Sequence, residues 1–163
     1  MHRILVTGGS GFIGGYVYRY LKGQGYTVTN FDVVGDEGDD NFVHGSITDF
    51  EAVKEIVEGH DVVFHFAGFS NINKVRSSPL ECINLNIIGT TNFLEAIRLK
   101  GKGALVLASS VYAHEKHGHL YTTSKVAAER ICKDYASLFG VDSTIIRLGT
   151  VYGEYSRGED VIS

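Results

Sequence analysis

Proline is almost missing from this chain: Pro79 stands alone against 20 glycines in 163 residues, which excludes a proline-rich, extended or disordered class. Cysteine is nearly as scarce. Cys82 and Cys132 lie far apart and outside any metal-ligand spacing, so neither a disulfide framework nor a cysteine-based zinc site is indicated, and both read as buried, reduced thiols. Excess positive charge is lacking too. The formal net charge of −4 offers no basic field for nucleic acid. No apolar run reaches the ~18 residues of a membrane span, and the N-terminus runs into a strand pattern rather than a signal peptide. No membrane partner is expected, and the cytoplasm is the default location.

What is present suits one soluble globular domain. Hydrophobic residues make up 44% and charged residues 21%, and a domain of this length buries roughly 70% of its unfolded surface. Short β-rich apolar runs alternate with longer helical patterns, as in a parallel sheet with crossover helices. Strands are expected at residues 3–7, 27–32, 41–44, 62–66, 104–108 and 143–147. Helices are expected at 12–22, 50–58, 80–99 and 121–139, with Ile83, Ile87, Leu94 and Ile97 on one apolar face of the third. Right-handed crossovers then give an α/β, Rossmann-type doubly wound parallel sheet in strand order 3-2-1-4-5-6. No internal repeat or linker is evident. His114, His117 and His119 crowd one segment, but no fourth ligand is placed by spacing, so a solvated loop is preferred and no metal site is expected.

Between the first strand and first helix runs TGGSGFIG, from Thr7 to Gly14. Missing side chains permit a tight turn there and let backbone amides and the helix N-terminus approach a pyrophosphate. Two registers fit: Gly9, Gly11 and Gly14, or the wider Gly8, Gly11 and Gly14. Asp32 follows at the end of the second strand, near the ~20-residue spacing at which an acidic residue meets the adenosine ribose. Asp36, Glu37, Asp39 and Asp40 come next with no Lys or Arg among them to pair a 2′-phosphate, so NAD is favoured over NADP. Downstream, Tyr121 and Lys125 share one helix face at i, i+4, where an ammonium favours the phenolate and lowers its pKa. Ser109 and Ser110, just after the fifth strand, stand at the carboxyl edge where ligands bind in this architecture.

With these motifs in order, the chain resembles the extended short-chain dehydrogenases/reductases, specifically the NAD-dependent epimerase/dehydratase group acting on nucleotide sugars. The likeness extends to GSITD at Gly45–Asp49, HFAG at His65–Gly68, the helix segment around Asn86, SSVY ending at Tyr112, YTTSK from Tyr121 to Lys125, and RLGTVYG ending at Gly153. The resemblance implies cofactor contacts from Gly8, Gly11, Phe12, Ile13, Gly14, Asp32, Ser46, Ile47, Phe66, Ala67, Gly68 and Asn86, together with Tyr121 and Lys125. It further implies that Tyr121 is the catalytic acid/base, that Lys125 binds the nicotinamide ribose and tunes Tyr121, and that Ser110 (or its neighbour Ser109) polarises the reacting oxygen. The wider register, Gly8, Gly11 and Gly14, is the one adopted.

The implied reaction is C4 epimerisation of a UDP- or dTDP-sugar through a transient keto-sugar, with NAD regenerated each turnover. A net dehydrogenase or reductase, a dehydratase, and a non-catalytic NAD-binding sensor or scaffold are the alternatives. The acidic pair that dehydratases of the group carry after the fifth strand is absent between Ser109 and Tyr112, which favours epimerisation. Ser46 replaces the family's usual Asp, Ala113 its usual Gly, and the serine segment is short, so a compact site mouth is expected. The family pattern continues past Gly153 into a substrate-binding lobe. Residues 1–163 are therefore read as an NAD-binding domain, a truncated piece or natural fragment, with the substrate-binding lobe missing. Relatives dimerise through helices matching 80–99 and 121–139, which implies a homodimer.

Overall fold

Strand β1 (Arg3–Thr7) is an apolar run whose last four residues are all buried, so both of its faces must be covered. In the structure, a computed structural model that describes residues 2–114 and 119–154, alternation sends its side chains into two cores. Ile4 and Val6 join Val28 and Tyr18 on one face, while Leu5 joins Phe31, Val63, Phe93 and Leu105 on the other.

The first core is closed by α1 (Phe12–Gly23), which contributes Val17, Tyr18 and Leu21. The second lies under α2 (Phe50–Glu58), α4 (Thr90–Lys100) and α5 (Leu120–Phe139), whose Val53, Val57, Leu94, Ile97 and Ala128 fill it. Helices on both faces follow from strands that are apolar on both faces. Around β1, β2 (Thr27–Asp32), β3 (Phe42–His44), β4 (Val62–His65), β5 (Ala104–Ser110) and β6 (Asp142–Leu148) form one all-parallel sheet in the order β3-β2-β1-β4-β5-β6, as expected. No helix among the described residues is long and apolar enough to cross a membrane.

Two departures from the expected elements bear on the site. The helix expected at 80–99 is three pieces: α3 (Pro79–Ile83), a π-helical segment Asn84–Gly89, and α4. The chain stays helical, but the wider turn seats Gly89 where a Cβ would lie 2.9 Å from Ile47 Cγ1. Secondly, β5 runs on through Ser109 and Ser110, which are expected just after the fifth strand and are instead its last two residues. A 3-10 turn, Ile72–Arg76, capped by the Asn71 side chain, also precedes α3.

Two buried imidazoles make the fold sensitive to acid. Burial, and then the charge of Lys125, pull the pKa of His65 down to about 3; burial also lowers that of His60, whose ring nitrogens meet the Ile56 carbonyl and the Thr29 hydroxyl at 2.7 and 2.8 Å. In the unfolded chain both titrate near about 6.5, so below that pH the unfolded state binds protons the folded state refuses. Stability is thus fully present above about pH 6.5 and falls as pH drops toward 3, by about 1.4 kcal/mol per pH unit for His65, with His60 adding a loss of the same sign. Urea unfolding between pH 7.5 and 4.5 should show this slope, and His65→Asn should remove about one proton from it. A wild-type midpoint that stays level over that interval would refute the assignment.

Candidate active site

The strand order reverses beside β1, where the chain leaves β1 for one side of the sheet and β4 for the other. A crevice at such a point receives ligands in open α/β sheets. Here it is a cavity of about 790 Å³ above the carboxyl ends of the strands, within the range of small-molecule and cofactor sites.

Its floor is the turn at residues 8–14. Gly8 takes φ +72°, and a Cβ there would stand 2.7 Å from the Ala67 backbone nitrogen. At Gly14 a Cβ would collide with the Gly8 carbonyl, and at Gly11 it would stand 3.1 Å from that same oxygen, which accepts the Gly11 amide at 3.0 Å. At Gly9 the obstacle is only the Asn30 side chain. The backbone constraint therefore falls on Gly8, Gly11 and Gly14, the wider register. Gly11 is the N-cap of α1, no side chain caps it, and the first turn holds no acidic residue, an arrangement suited to a phosphate.

At one end of the crevice Asp32 accepts the Ser10 amide at 3.1 Å and the Val33 amide at 2.8 Å. Its carboxylate is thereby fixed beside the glycine turn with lone pairs to spare for ribose hydroxyls. Val33, Val34, Gly45, Ser46 and Ile47 line the wall around it, with no Lys or Arg among them. Ser46 lines it while bonding the Thr48 hydroxyl at 2.8 Å, and the Ile47 carbonyl accepts from Asn92 at 2.9 Å. Asp39, farther along the acidic stretch, is held by the Tyr18 hydroxyl at 2.6 Å and by Lys22, and these bonds keep its carboxyl well below the usual range.

Phe66, Ala67 and Gly68 form the opposite lip with Phe12 and Ile13. Asn86 does not line the cavity; it is buried behind Gly68. Its Oδ1 accepts the Phe69 amide at 2.8 Å, and its Nδ2 donates to the Phe69 carbonyl at 3.2 Å and to Ser124 Oγ at 2.9 Å. In this structure Asn86 shapes the β4 exit loop and ties it to α5.

At the far end Ser110, Tyr121 and Lys125 converge. Because β5 continues through both serines, alternation turns them apart. Ser109 Oγ donates to Glu129 at 2.6 Å, while Ser110 accepts the Tyr112 amide at 3.3 Å and lies near enough to the Tyr121 phenol to lower its pKa. The geometry thus separates the two serines that spacing left open. Lys125 Nζ lies 5.9 Å from the Tyr121 ring centroid and donates to the Ala108 carbonyl at 3.2 Å.

The expected lowering of the Tyr121 pKa by Lys125 is not what this geometry gives. Burial raises the phenol, with the nearby Ser110 hydroxyl opposing it, and burial pulls Lys125 down to about 8. Desolvation disfavours each charged form, so it holds the phenol protonated and makes the ammonium the readier of the two to release its proton. Lys125, at about 8, is the one of the two whose proton is exchanged nearest neutral pH.

Spacing missed part of the wall. Tyr112 and the stretch 148–151 also line the crevice, as do Ser70, Asn71 and Ile72 from the β4 exit. The RLGTVYG stretch carried a signal for the former; nothing in the polar β4 exit marked the latter. Among the described residues no group of three or more His, Cys, Asp or Glu could hold a metal; of the histidine-rich segment, residues 115–118 lie outside them.

Comparison with known proteins agrees with this geometry. The chain is 33% identical to a UDP-N-acetyl-alpha-D-glucosaminuronate decarboxylase of Bacillus cytotoxicus, over 95% of this chain and 56% of that protein. It is likewise 33% identical to a UDP-glucuronate 4-epimerase of Thermodesulfobacterium geofontis, over 94% and 57%. The solved UDP-glucose 4-epimerase of Thermus thermophilus, in complex with NAD, superposes with a TM-score of 0.83 at 27% identity, covering 97% of this chain and 59% of that one. The chain spans about half the length of the relatives it matches. The model of the NAD dependent epimerase/dehydratase family matches residues 4–163, and the chain belongs to that family.

Proposed function

We propose that this chain is the cofactor-binding part of an NAD-dependent nucleotide-sugar 4-epimerase. The observation that carries the reading is the convergence of Ser110, Tyr121 and Lys125 at the end of a glycine-floored crevice whose other end holds Asp32.

The residues fit NAD. The amides of Gly11, Phe12, Ile13 and Gly14 suit the pyrophosphate, Asp32 the adenosine ribose, and Ser46 with Ile47 the adenine side. Gly8, Phe66, Ala67 and Gly68 leave room along the middle, and Lys125 with Tyr121 suits the nicotinamide ribose. Bound there, NAD supplies reversible acceptance of hydride from a sugar carbon. Tyr121 Oη takes the proton of the 4-hydroxyl and gives it back after inversion. Ser110 holds the same sugar oxygen, and the Lys125 ammonium favours the phenolate that takes the proton. The sugar ring enters from the side walled by Tyr112 and residues 148–151.

Incubation with NAD and a panel of UDP- and dTDP-sugars should yield the C4-inverted sugar without net NADH. NADH accumulation would replace this reading with a dehydrogenase, and NAD binding with no chemistry in the full-length protein would leave a sensor or scaffold. Tyr121→Phe should lower turnover by about 100-fold or more and retain NAD, whereas Gly14→Ala, which forces a Cβ into the Gly8 carbonyl, should lose NAD.

Lys125 supplies a separate check. Burial opposes its charge, so removing the charge should stabilise the fold at neutral pH while removing chemistry. We expect Lys125→Met to raise Tm by about 3 °C or more. An unchanged or lower Tm would mean that the ammonium is better solvated than its setting suggests.

A homodimer belongs to the same proposal. Val126, Leu138 and Phe139 of α5 and Leu99 of α4 are exposed apolar side chains on two adjacent helices. Sedimentation should give twice the monomer mass, and Leu138→Glu with Phe139→Glu should return it to monomer. A wild-type chain that sediments as monomer at micromolar concentration would refute the dimer.

A further inference from the structure

Tyr121, Lys125 and Glu129 lie at i, i+4 and i+8 on α5 and so share one face of the helix. The first two line the crevice; the third does not, yet it is among the most enclosed charged side chains of the chain, at 4% exposure. Its carboxylate is held from two strands at once. Oε1 accepts Ser109 Oγ at 2.6 Å and Arg147 Nε at 2.8 Å, and Oε2 accepts Arg147 Nη2 at 2.6 Å. Arg147 binds as a fork, the strong geometry for a guanidinium on a carboxylate.

The register explains why these three meet. Ser109 of β5 is paired with Arg147 of β6, so both side chains point to the same face of the sheet, the one α5 covers. Each clamped residue adjoins a part of the site. Ser110 follows Ser109, and residues 148–151, which line the crevice, follow Arg147. The clamp therefore sets where α5 sits along β5. That position must satisfy two approaches together: Ser110 to the Tyr121 phenol, and Lys125 Nζ to the Ala108 carbonyl. A hydrophobic contact at position 129 would hold the helix down without fixing its rotation. A buried ion pair costs desolvation but specifies geometry.

We propose that Glu129, through Ser109 and Arg147, is the positioning residue that holds Tyr121 and Lys125 in register with Ser110. It touches neither crevice nor reacting atoms and acts by fixing the helix that carries them. The inference rests on the active-site reading above.

The test uses the whole chain and three variants, Glu129→Gln, Ser109→Ala and Arg147→Lys. Its central readout is titration of the Tyr121 phenol by NMR with ring-labelled tyrosine, assigned with Tyr121→Phe. The other titratable groups around that phenol are Cys82 of α3, Tyr112 beyond β5, Lys125 and His119, whose ring centroid lies 6.2 Å from that of Tyr121, and none of them is altered. In folded Glu129→Gln the Tyr121 midpoint should move by about half a pH unit or more, because the approach of Ser110 and the placement of Lys125 both change. Affinity for NAD should fall about fivefold, while affinity for ADP-ribose, which lacks nicotinamide and rests on residues 8–14 and Asp32, should stay within about twofold. Ser109→Ala keeps the ion pair and should give the smaller change.

An unmoved Tyr121 titration in folded Glu129→Gln overturns the proposal. Equal loss of NAD and ADP-ribose would also overturn it, because the clamp would then support the fold at large. Should Glu129→Gln fail to fold, Ser109→Ala and Arg147→Lys decide on the same readouts. The titration needs no turnover, so it stands whether or not the 4-epimerase reading survives its own substrate panel.

Discussion

One buried hydroxyl joins the two halves of this molecule. Thr7 closes β1, and its Oγ1 lies 2.8 Å from His65 Nδ1 at the end of β4 while accepting the Ala67 amide at 3.1 Å; its carbonyl accepts the amides of Phe66 and Ala67. These bonds hold the two strand ends together where the chain leaves in opposite directions. Gly8 follows immediately, and its Cα comes so near the Ala67 backbone that no side chain fits. The glycine turn and the HFAG lip are thus two sides of one close backbone approach. The glycine turn, Phe66, Ala67 and Gly68 take their positions from that seam.

The polar groups around the seam are held mostly by one another. Asn86 spends its amide on Phe69 and Ser124; Ser124 also donates to the Tyr121 carbonyl at 2.7 Å. A single chain of hydrogen bonds thus runs from the β4 exit through the π-helical segment to the helix that carries Tyr121. The π turn has a purpose in this arrangement. It gives Gly89 its close seat on Ile47 while Asn86 stays aimed at Phe69, and π segments of this kind recur at functional sites.

The fold was legible because its signals are local. Strands buried on both faces read as apolar runs, α1 opens at glycines, and right-handed crossovers leave few orders for six parallel strands. Asp32 was legible for the same reason, since it ends a strand at a known distance from the turn. The π segment was not, because 3.6- and wider-period helices carry nearly the same apolar stripe over six residues. The continuation of β5 through Ser109 and Ser110 was hidden by their polarity, and with it the alternation that tells them apart. The RLGTVYG stretch marked residues 148–151 without saying that they wall the crevice. The proton affinity of Tyr121 could not be read from its spacing to Lys125, because spacing reports proximity and says nothing of desolvation.

That last point orders the electrostatics of the site. Burial acts on three neighbours at once: it lowers His65 and Lys125 and raises Tyr121. His65 can answer by staying neutral, since it has Thr7 for a partner and no ionisation to perform. Lys125 and Tyr121 cannot both do so if the pair is to move a proton. An ordinary amine and an ordinary phenol have nearly equal pKa values in water, about 10.4 and 10, and burial moves these two apart, holding the phenol protonated and loosening the proton of the ammonium, with no buried carboxylate beside them. The carboxylate on that helix face, Glu129, is instead a turn further on and neutralised by Arg147, which lowers its pKa and raises that of its partner. Placed there, it can fix the helix without fixing the charge of Lys125. The spacing of Tyr121, Lys125 and Glu129 thus separates two demands, a movable proton at one end of the face and an immovable anchor at the other.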